Sequence, residues 1–567
     1  MTGRRTVALT LASLAVALGV ALLARGPRRV VYRGGPILTM DAKSRVVSAL
    51  AVVGDRIAAV GDEDEVRRFV DAGARVVDLQ GRALLPGFID AHGHFPGAGI
   101  YAVMADLNSP PIGDVEDIEG LLARLAAKAS HTKPGAWVVG MGYDDTLLAE
   151  GRHPTRVDLD RASREHPVAI WHVSGHLAVA NGLALERLGI DRSTPDPEGG
   201  RIRRDPETGE PDGVLEEEAA DGLQAQLLQP SLLDSLRVVR RASALYLAAG
   251  VTTAQNGYAS VAHMRGLAWL SRLGLLPLRV VLWPGEVAAE ALLDGSFVFV
   301  SPDPRWLRRG AVKLIADGSI QGYTGYLSRP YHVPPGDDPG YRGYPRIPRD
   351  ALIRQVGRYH AQGLQVAVHG NGDASIDDIL DAFEAAQRAH PREDARPVLI
   401  HAQMARDDQL DRMRALGVIP SFFSLHTYYW GDRHRDIFMG PERAARMSPA
   451  RGASERGLRF TIHTDAPVVP MEPLRLVWAA VNRRSTSGAT IGADQRIGVM
   501  QALRAVTIDA AYQHFEETDK GSLEPGKLAD LVVLDRSPLA DPAHIDRIRV
   551  LETVVGGRSV YRAERSP

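Results

Sequence analysis

The feature that most constrains this chain is a series of short apolar runs separated by longer stretches of helical pattern. The runs fall at residues 84–91, 250–256, 278–283, 311–316, 364–369, 397–401, 417–422 and 459–464. Strands alternating with helices read as βα units, since each parallel pair needs a crossover long enough to hold a helix. Eight such units close a barrel, so the expected fold class is α/β, a (β/α)8 TIM barrel over residues 84–516. The segment between the first two runs, 95–245, is too long for one crossover. It carries strand-like runs at 137–140 and 168–171 and a polar Pro/Gly-rich patch at 191–213. An insertion of that size on a barrel shapes a pocket or forms a lid.

The two ends of the chain have a different texture. Residues 29–32, 49–53, 56–60 and 74–79 read as strands, with Gly34-Gly35, Gly54-Asp55 and Gly81 as turns. Residues 530–534, 550–555 and 559–561 repeat the pattern. Each set alone is marginal, and pairing buries both. The expectation is one composite β-sandwich from 29–83 and 517–562. Ahead of it, Arg4-Arg5 and Arg25 bracket the uncharged run 6–24. At about 1.5 Å per residue such a run approaches the hydrocarbon thickness of a bilayer. Residues 1–28 are therefore expected as a hydrophobic helix, either a membrane anchor or a cleaved signal peptide. Both place the protein at the cell envelope, membrane-anchored or exported.

Composition narrows the chemistry. Sixty-seven Lys+Arg against 69 Asp+Glu give a net charge of −2, and nucleic acid calls for a clustered basic surface. The absence of cysteine excludes disulfides, thiolate metal ligands and cysteine nucleophiles. No glycine fingerprint for a nucleotide follows a strand in βα context. Lysine is scarce, six among the 67 basic residues, so a lysine in an unusual place stands out.

The candidate site sits where the apolar runs stop. The first run leads into His92 and His94, which share a face by strand alternation and form a ready chelate for a divalent ion. The fifth ends at His369, the sixth at His401, and the eighth leads into Asp465. Barrel enzymes keep their sites at the C-terminal ends of the strands. Lys313 lies inside the fourth run, where a charged amine is costly. Either it pairs with Asp317, or its amine is neutral, through a depressed pKa or through carboxylation to a metal-bridging carbamate.

The order H-x-H, Lys, His, His, Asp on strands one, four, five, six and eight resembles the amidohydrolase superfamily. The flanking segments resemble its family 3, the branch of N-substituted formamide deformylases. They include LLPGFIDAHGH at 84–94, GYDDTLLAEGRHPTRVDLD at 142–160, SGHLAVAN at 174–181, DGVLEE at 212–217, VKLIADGS at 312–319, HGNGD at 369–373, IHAQ at 400–403, HTDAPV at 463–468 and GSLEPGKLADLVVLD at 521–535. The resemblance implies a hydrolase of non-peptide carbon–nitrogen bonds holding one or two divalent ions, zinc first among them. It implies His92, His94, Lys313, His369, His401 and Asp465 as ligands, with Asp465 taking the proton of metal-bound water, and leaves carboxylation of Lys313 as one of the two forms of a neutral amine. His463 and Thr464 depart from the usual Gly/Ser before that aspartate. Tyr143, Asp144, His176, Asn181, Glu217 and His426 are expected around the substrate; Glu217 reads alternatively as a solvated acid, and the aromatic run at 426–430 as core packing. An esterase, lactonase or phosphotriesterase on the same barrel is the alternative enzyme, and a tethered binding protein the non-enzymatic one. Expected partners are a small-molecule substrate, the membrane through the N-terminal segment, and a second copy of the chain.

Overall fold

The computed structural model describes residues 28–71, 73–227 and 231–564. The run at 6–24 lies outside the described residues, and no helix among those described is long and apolar enough to cross a membrane.

Eight parallel strands form the barrel: β1 (Phe88–Ile89), β2 (Val251–Ala259), β3 (Arg279–Pro284), β4 (Val312–Ile315), β5 (Val366–Gly370), β6 (Val398–His401), β7 (Ile419–Phe422) and β8 (Thr461–Ile462). They pair in two arcs, β1 to β3 and β4 to β8, each in chain order. Backbone bonds from Asp465 to His92 and from His94 to Ala466 bring the segments after β8 and β1 together. Helices cross between strands, and 373–389 shows why. Ile376, Ile379, Leu380, Phe383 and Ala386 recur at helical spacing and bury one face against the strands.

Alternation along the strands decides what enters the barrel. Val281, Trp283, Ala311, Ala367, Val398 and Ile400 share one core cluster, whereas Val280, Leu282, Val312, Leu314, Val366 and Val368 pack outward against helices. Lys313 lies between two outward residues and pairs in register with Ala367, so it faces the interior.

The apolar run at 84–91 is two strands rather than one. Ala83–Pro86 pairs antiparallel with Leu531–Leu534 in a separate sheet, and only Phe88–Ile89 enters the barrel. Gly87 makes the crossing, because a Cβ there would meet the Thr252 side chain at 2.2 Å. The separate sheet draws strands from both chain ends, in the order 558–562, 550–555, 531–534, 83–86, 29–38, 46–53 and 56–61. Tyr32, Leu50, Ile57, Leu84, Leu531 and Val554 meet in one core, so the sheet folds over on itself. Gly34-Gly35 is not a turn: it lies within strand Arg29–Leu38 at a register shift that bends it.

The insertion builds a six-stranded sheet, ordered 200–204, 211–217, 177–180, 168–172, 138–143 and 105–106. Its strand ends carry Tyr143, His172 and Glu217.

Candidate metal centre

The centre is a ring of imidazoles around one carboxylate. Asp465 Oδ1 lies 3.2 Å from His94 Nε2 and 3.5 Å from His92 Nε2, and Oδ2 lies 3.8 Å from His401 Nε2. His401 Nε2 is 3.1 Å from His369 Nδ1, and His401 Nδ1 is 3.1 Å from His463 Nε2. Lys313 Nζ stands 3.1 Å from His92 Nε2. The donors fall into two triads sharing Asp465, namely His92–His94–Asp465 and His401–His463–Asp465, with ligand atoms within 4.8 Å of one another.

Backbone strain aims two of these groups. His401 and Ala402 have φ of 69° and 45°, which turns His401 out of the alternation of β6. Asp465, at φ 54°, is bent back toward the strand-one histidines. Such non-glycine conformations persist only where the surroundings over-determine them.

Electrostatics prepares the same atoms for a cation. Burial first, then neighbouring positive groups, holds His92, His369 and His401 well below the ordinary imidazole range, and burial brings His463 down to about 3. Their ring lone pairs are free at neutral pH. Burial opposes ionisation of Asp465, but the donors around it, His94 first, outweigh burial and keep it a carboxylate. Burial pulls the Lys313 amine down to about 7. Asp317 does not pair with it, being bonded to the backbone N–H groups of Asn371, Gly372 and Tyr326. The donor set is a second indication: ring nitrogens of His94, His92 and His401 converge on the Asp465 carboxylate. These residues fit a divalent ion held by nitrogen and oxygen. His94, its side chain 37% exposed, forms the open side of the set.

The expected substrate residues divide. His176 and Glu217 reach the centre: their side chains are 2.9 Å apart, and the His176 ring is 4.9 Å from that of His369. Glu217 is fully buried rather than solvated, with Arg346 3.7 Å away. His426 packs between Phe423, ring centroids 4.3 Å apart, and His401 at 6.2 Å. Asn181 does not line a pocket. Its Oδ1 accepts from the backbone of Val168 and Ala184 and its Nδ2 donates to Ser163 and His166 carbonyls, so it is spent on capping helix 182–188. Tyr143 is buried in the apolar core of the insertion, its hydroxyl on His153. Asp144 clamps Trp430 and Arg433, tying the insertion to the segment after β7. The resemblance leaves His463 out of the ligand set, although its Nε2 lies 3.1 Å from His401 Nδ1 and it shares a triad with His401 and Asp465.

This fold and site define a class, the metal-dependent hydrolases. The solved structure of an uncharacterized metal-dependent hydrolase from Pyrococcus horikoshii matches with a TM-score of 0.72 and 28% identity, covering 91% of this chain and 99% of that one. The amidohydrolase family model matches residues 75–561, and the chain belongs to that family. It is 29% identical to N-substituted formamide deformylase of Arthrobacter pascens, over 94% of this chain and 97% of the relative. It is also 29% identical to Protein LONG AFTER FAR-RED 3 of Arabidopsis thaliana, over 94% and 91% respectively.

Proposed function

We propose that this hydrolase cleaves the carbon–nitrogen bond of an N-formyl or N-acyl amide. The observation that carries the reading is the Asp465 carboxylate, 3.2 Å and 3.5 Å from His94 and His92 inside a buried imidazole ring. The likeness to a formamide deformylase supports the choice of bond.

His92, His94, His369, His401, His463 and Asp465 are the residues that hold the ion, zinc in our reading, and the two triads sharing Asp465 support room for two. A divalent ion bound there polarises a carbonyl and brings a water's pKa toward neutrality. Lys313, with its amine drawn toward the neutral form that reacts with carbon dioxide, is the residue we assign as a carbamate. Asp465 takes the proton of the attacking water and passes it to the leaving nitrogen. His176, oriented by Glu217, holds the substrate on the His369 side. The run at 6–24 supports a place at the cell envelope.

The test is amine release from a panel of N-formyl and N-acyl amines, run beside carboxylic and phosphate esters, with protein loaded with zinc, manganese, iron or nickel. Release of amine that stops on chelation supports the reading. Turnover of esters alone refutes it.

A further inference from the structure

His92, His369, His401 and His463 are the buried imidazoles of the metal centre, and three of them are held through both ring nitrogens. His401 meets His369 with one nitrogen and His463 with the other, each at 3.1 Å. The second nitrogen of His369 lies 3.2 Å from the Gly318 carbonyl, and that of His463 lies 2.9 Å from Ser421 Oγ. His92 differs. Its Nε2 faces Asp465 at 3.5 Å and Lys313 at 3.1 Å, while its Nδ1 has no hydrogen-bond partner. A ligating imidazole is ordinarily aimed by a hydrogen bond at its second nitrogen, so another contact has to fix the plane of this ring.

That contact is Trp283. By the alternation of β3 its indole points into the barrel, where it is wholly buried. The His92 and Trp283 ring centroids are 5.8 Å apart and the ring planes differ by 29°, an offset stack. The indole also meets His514 edge-on, with centroids 5.6 Å apart. His514 Nε2 in turn lies 3.1 Å from the carbonyl of Asp90, just ahead of His92 in the chain. Trp283 is thus wedged between the ring it faces and a side chain tied to the same strand end.

Two glycines make room for the stack. A Cβ at Gly310, just before β4, would stand 2.5 Å from Trp283 Nε1 and 2.6 Å from Cδ1. A Cβ at Gly257, within β2, would stand 2.2 Å from His92 Cε1 and 2.7 Å from Nδ1. Neither glycine has a left-handed backbone, so both serve by leaving space rather than by turning the chain. Barrel interiors are ordinarily filled by branched aliphatic residues. An indole whose buried N–H has no partner is costly there, and space filling alone does not call for it.

We propose that Trp283 is a positioning residue for the metal centre. Its ring sets the plane of His92 in place of the missing hydrogen bond and so keeps Nε2 aimed at the side of the ring where Asp465 stands. Gly310 and Gly257 are the spaces that let the stack close. The proposal rests on the reading of His92 as a metal ligand and is independent of the bond the enzyme cleaves.

Zinc affinity of the full-length protein tests it, measured by competition with a chromophoric chelator after bound metal has been stripped. His92→Ala sets the scale of losing the ligand outright. Trp283→Leu is expected to weaken zinc binding by about 10–100-fold, and Trp283→Phe, which keeps a flat ring, to recover most of that loss. Gly310→Ala displaces the indole without touching His92 and is expected to weaken binding in the same direction. In the His92→Ala background Trp283→Leu is expected to cost nothing further, because its effect passes through a ring that is gone. Ile419→Ala, which loosens the same interior cluster, is expected to lower stability and leave zinc affinity unchanged. Wild-type affinity in Trp283→Leu, or in Gly310→Ala where the leucine variant does not fold, overturns the proposal and leaves the metal centre standing. An equal loss from Ile419→Ala, or a full further loss in the His92→Ala background, also overturns it. Unchanged affinity in His92→Ala removes His92 from the ligand set, and the proposal with it.

Discussion

The Lys313 amine lies 3.1 Å from His92 Nε2, with both side chains buried and no carboxylate at ion-pair distance from the amine among the described residues. The lysine stands among neutral imidazoles and is drawn from its ordinary 10.5 to about 7 by burial.

That shift has a signed consequence for stability. Between pH 10.5 and about 7 the unfolded chain protonates this lysine while the folded chain resists, so the folded state loses ground as pH falls. Metal-free protein compared with Lys313→Met is expected to lose relative stability from pH 10 down to pH 7, by no more than about 5 kcal/mol. Urea midpoints of the two proteins across that range measure it. A difference that is flat, or that grows in favour of the wild type toward pH 7, contradicts the account.

Asp465→Asn keeps the size of the side chain and removes the proposed proton acceptor. Its kcat is expected to fall by about 10²–10⁴ while the variant stays folded. Steady-state kinetics on metal-loaded protein decide this, and an asparagine variant within tenfold of wild type would remove Asp465 from the proton path.

Asn181→Ala leaves two backbone donors and two carbonyls unpaired in the insertion core. The expected cost is about 2–4 kcal/mol in stability, with KM of the remaining folded protein unchanged. Thermal unfolding beside kinetics separates this from a pocket role, which would raise KM and spare stability.

The barrel is tied to the two-ended sheet by a buried bidentate pair, Arg279 Nε to Asp530 Oδ2 at 2.7 Å and Nη2 to Oδ1 at 3.0 Å. Burial opposes the charge on Asp530, and Arg279 outweighs it, holding the carboxyl below its usual range. Asp530→Ala is expected to destabilise by about 3–5 kcal/mol, and Arg279→Met with Asp530→Leu to recover much of that loss. A double variant as unstable as the single one would show that the charges themselves are required.

The line of apolar runs made the barrel strands legible because parallel strands covered on both faces are nearly continuous in hydrophobicity. The same property hid the division of 84–91, since Gly87 interrupts two buried strands without changing their polarity. Strand-end position revealed His92, His94, His369, His401 and Asp465. Resemblance alone does not make His463 a ligand, since it stands where the motif usually has Gly or Ser; only the folded chain brings its ring to His401. A polar residue in a motif carries no sign of whether its bonds run inward, which is why the sequence offers Asn181, Tyr143 and Asp144 as pocket residues. Bonds such as Asn181 to Val168 and Asp144 to Arg433, 13 and 289 residues apart, are visible only once the insertion has folded.

The most direct test of the central claim is amine release from an N-substituted formamide by purified protein, before and after removal of its metal. The account predicts release that falls to background on chelation, returns when a divalent ion is restored, and stays at background in Asp465→Asn. Undiminished release from metal-free protein, or no release of amine from any formamide or N-acyl amine by fully loaded protein, would contradict it.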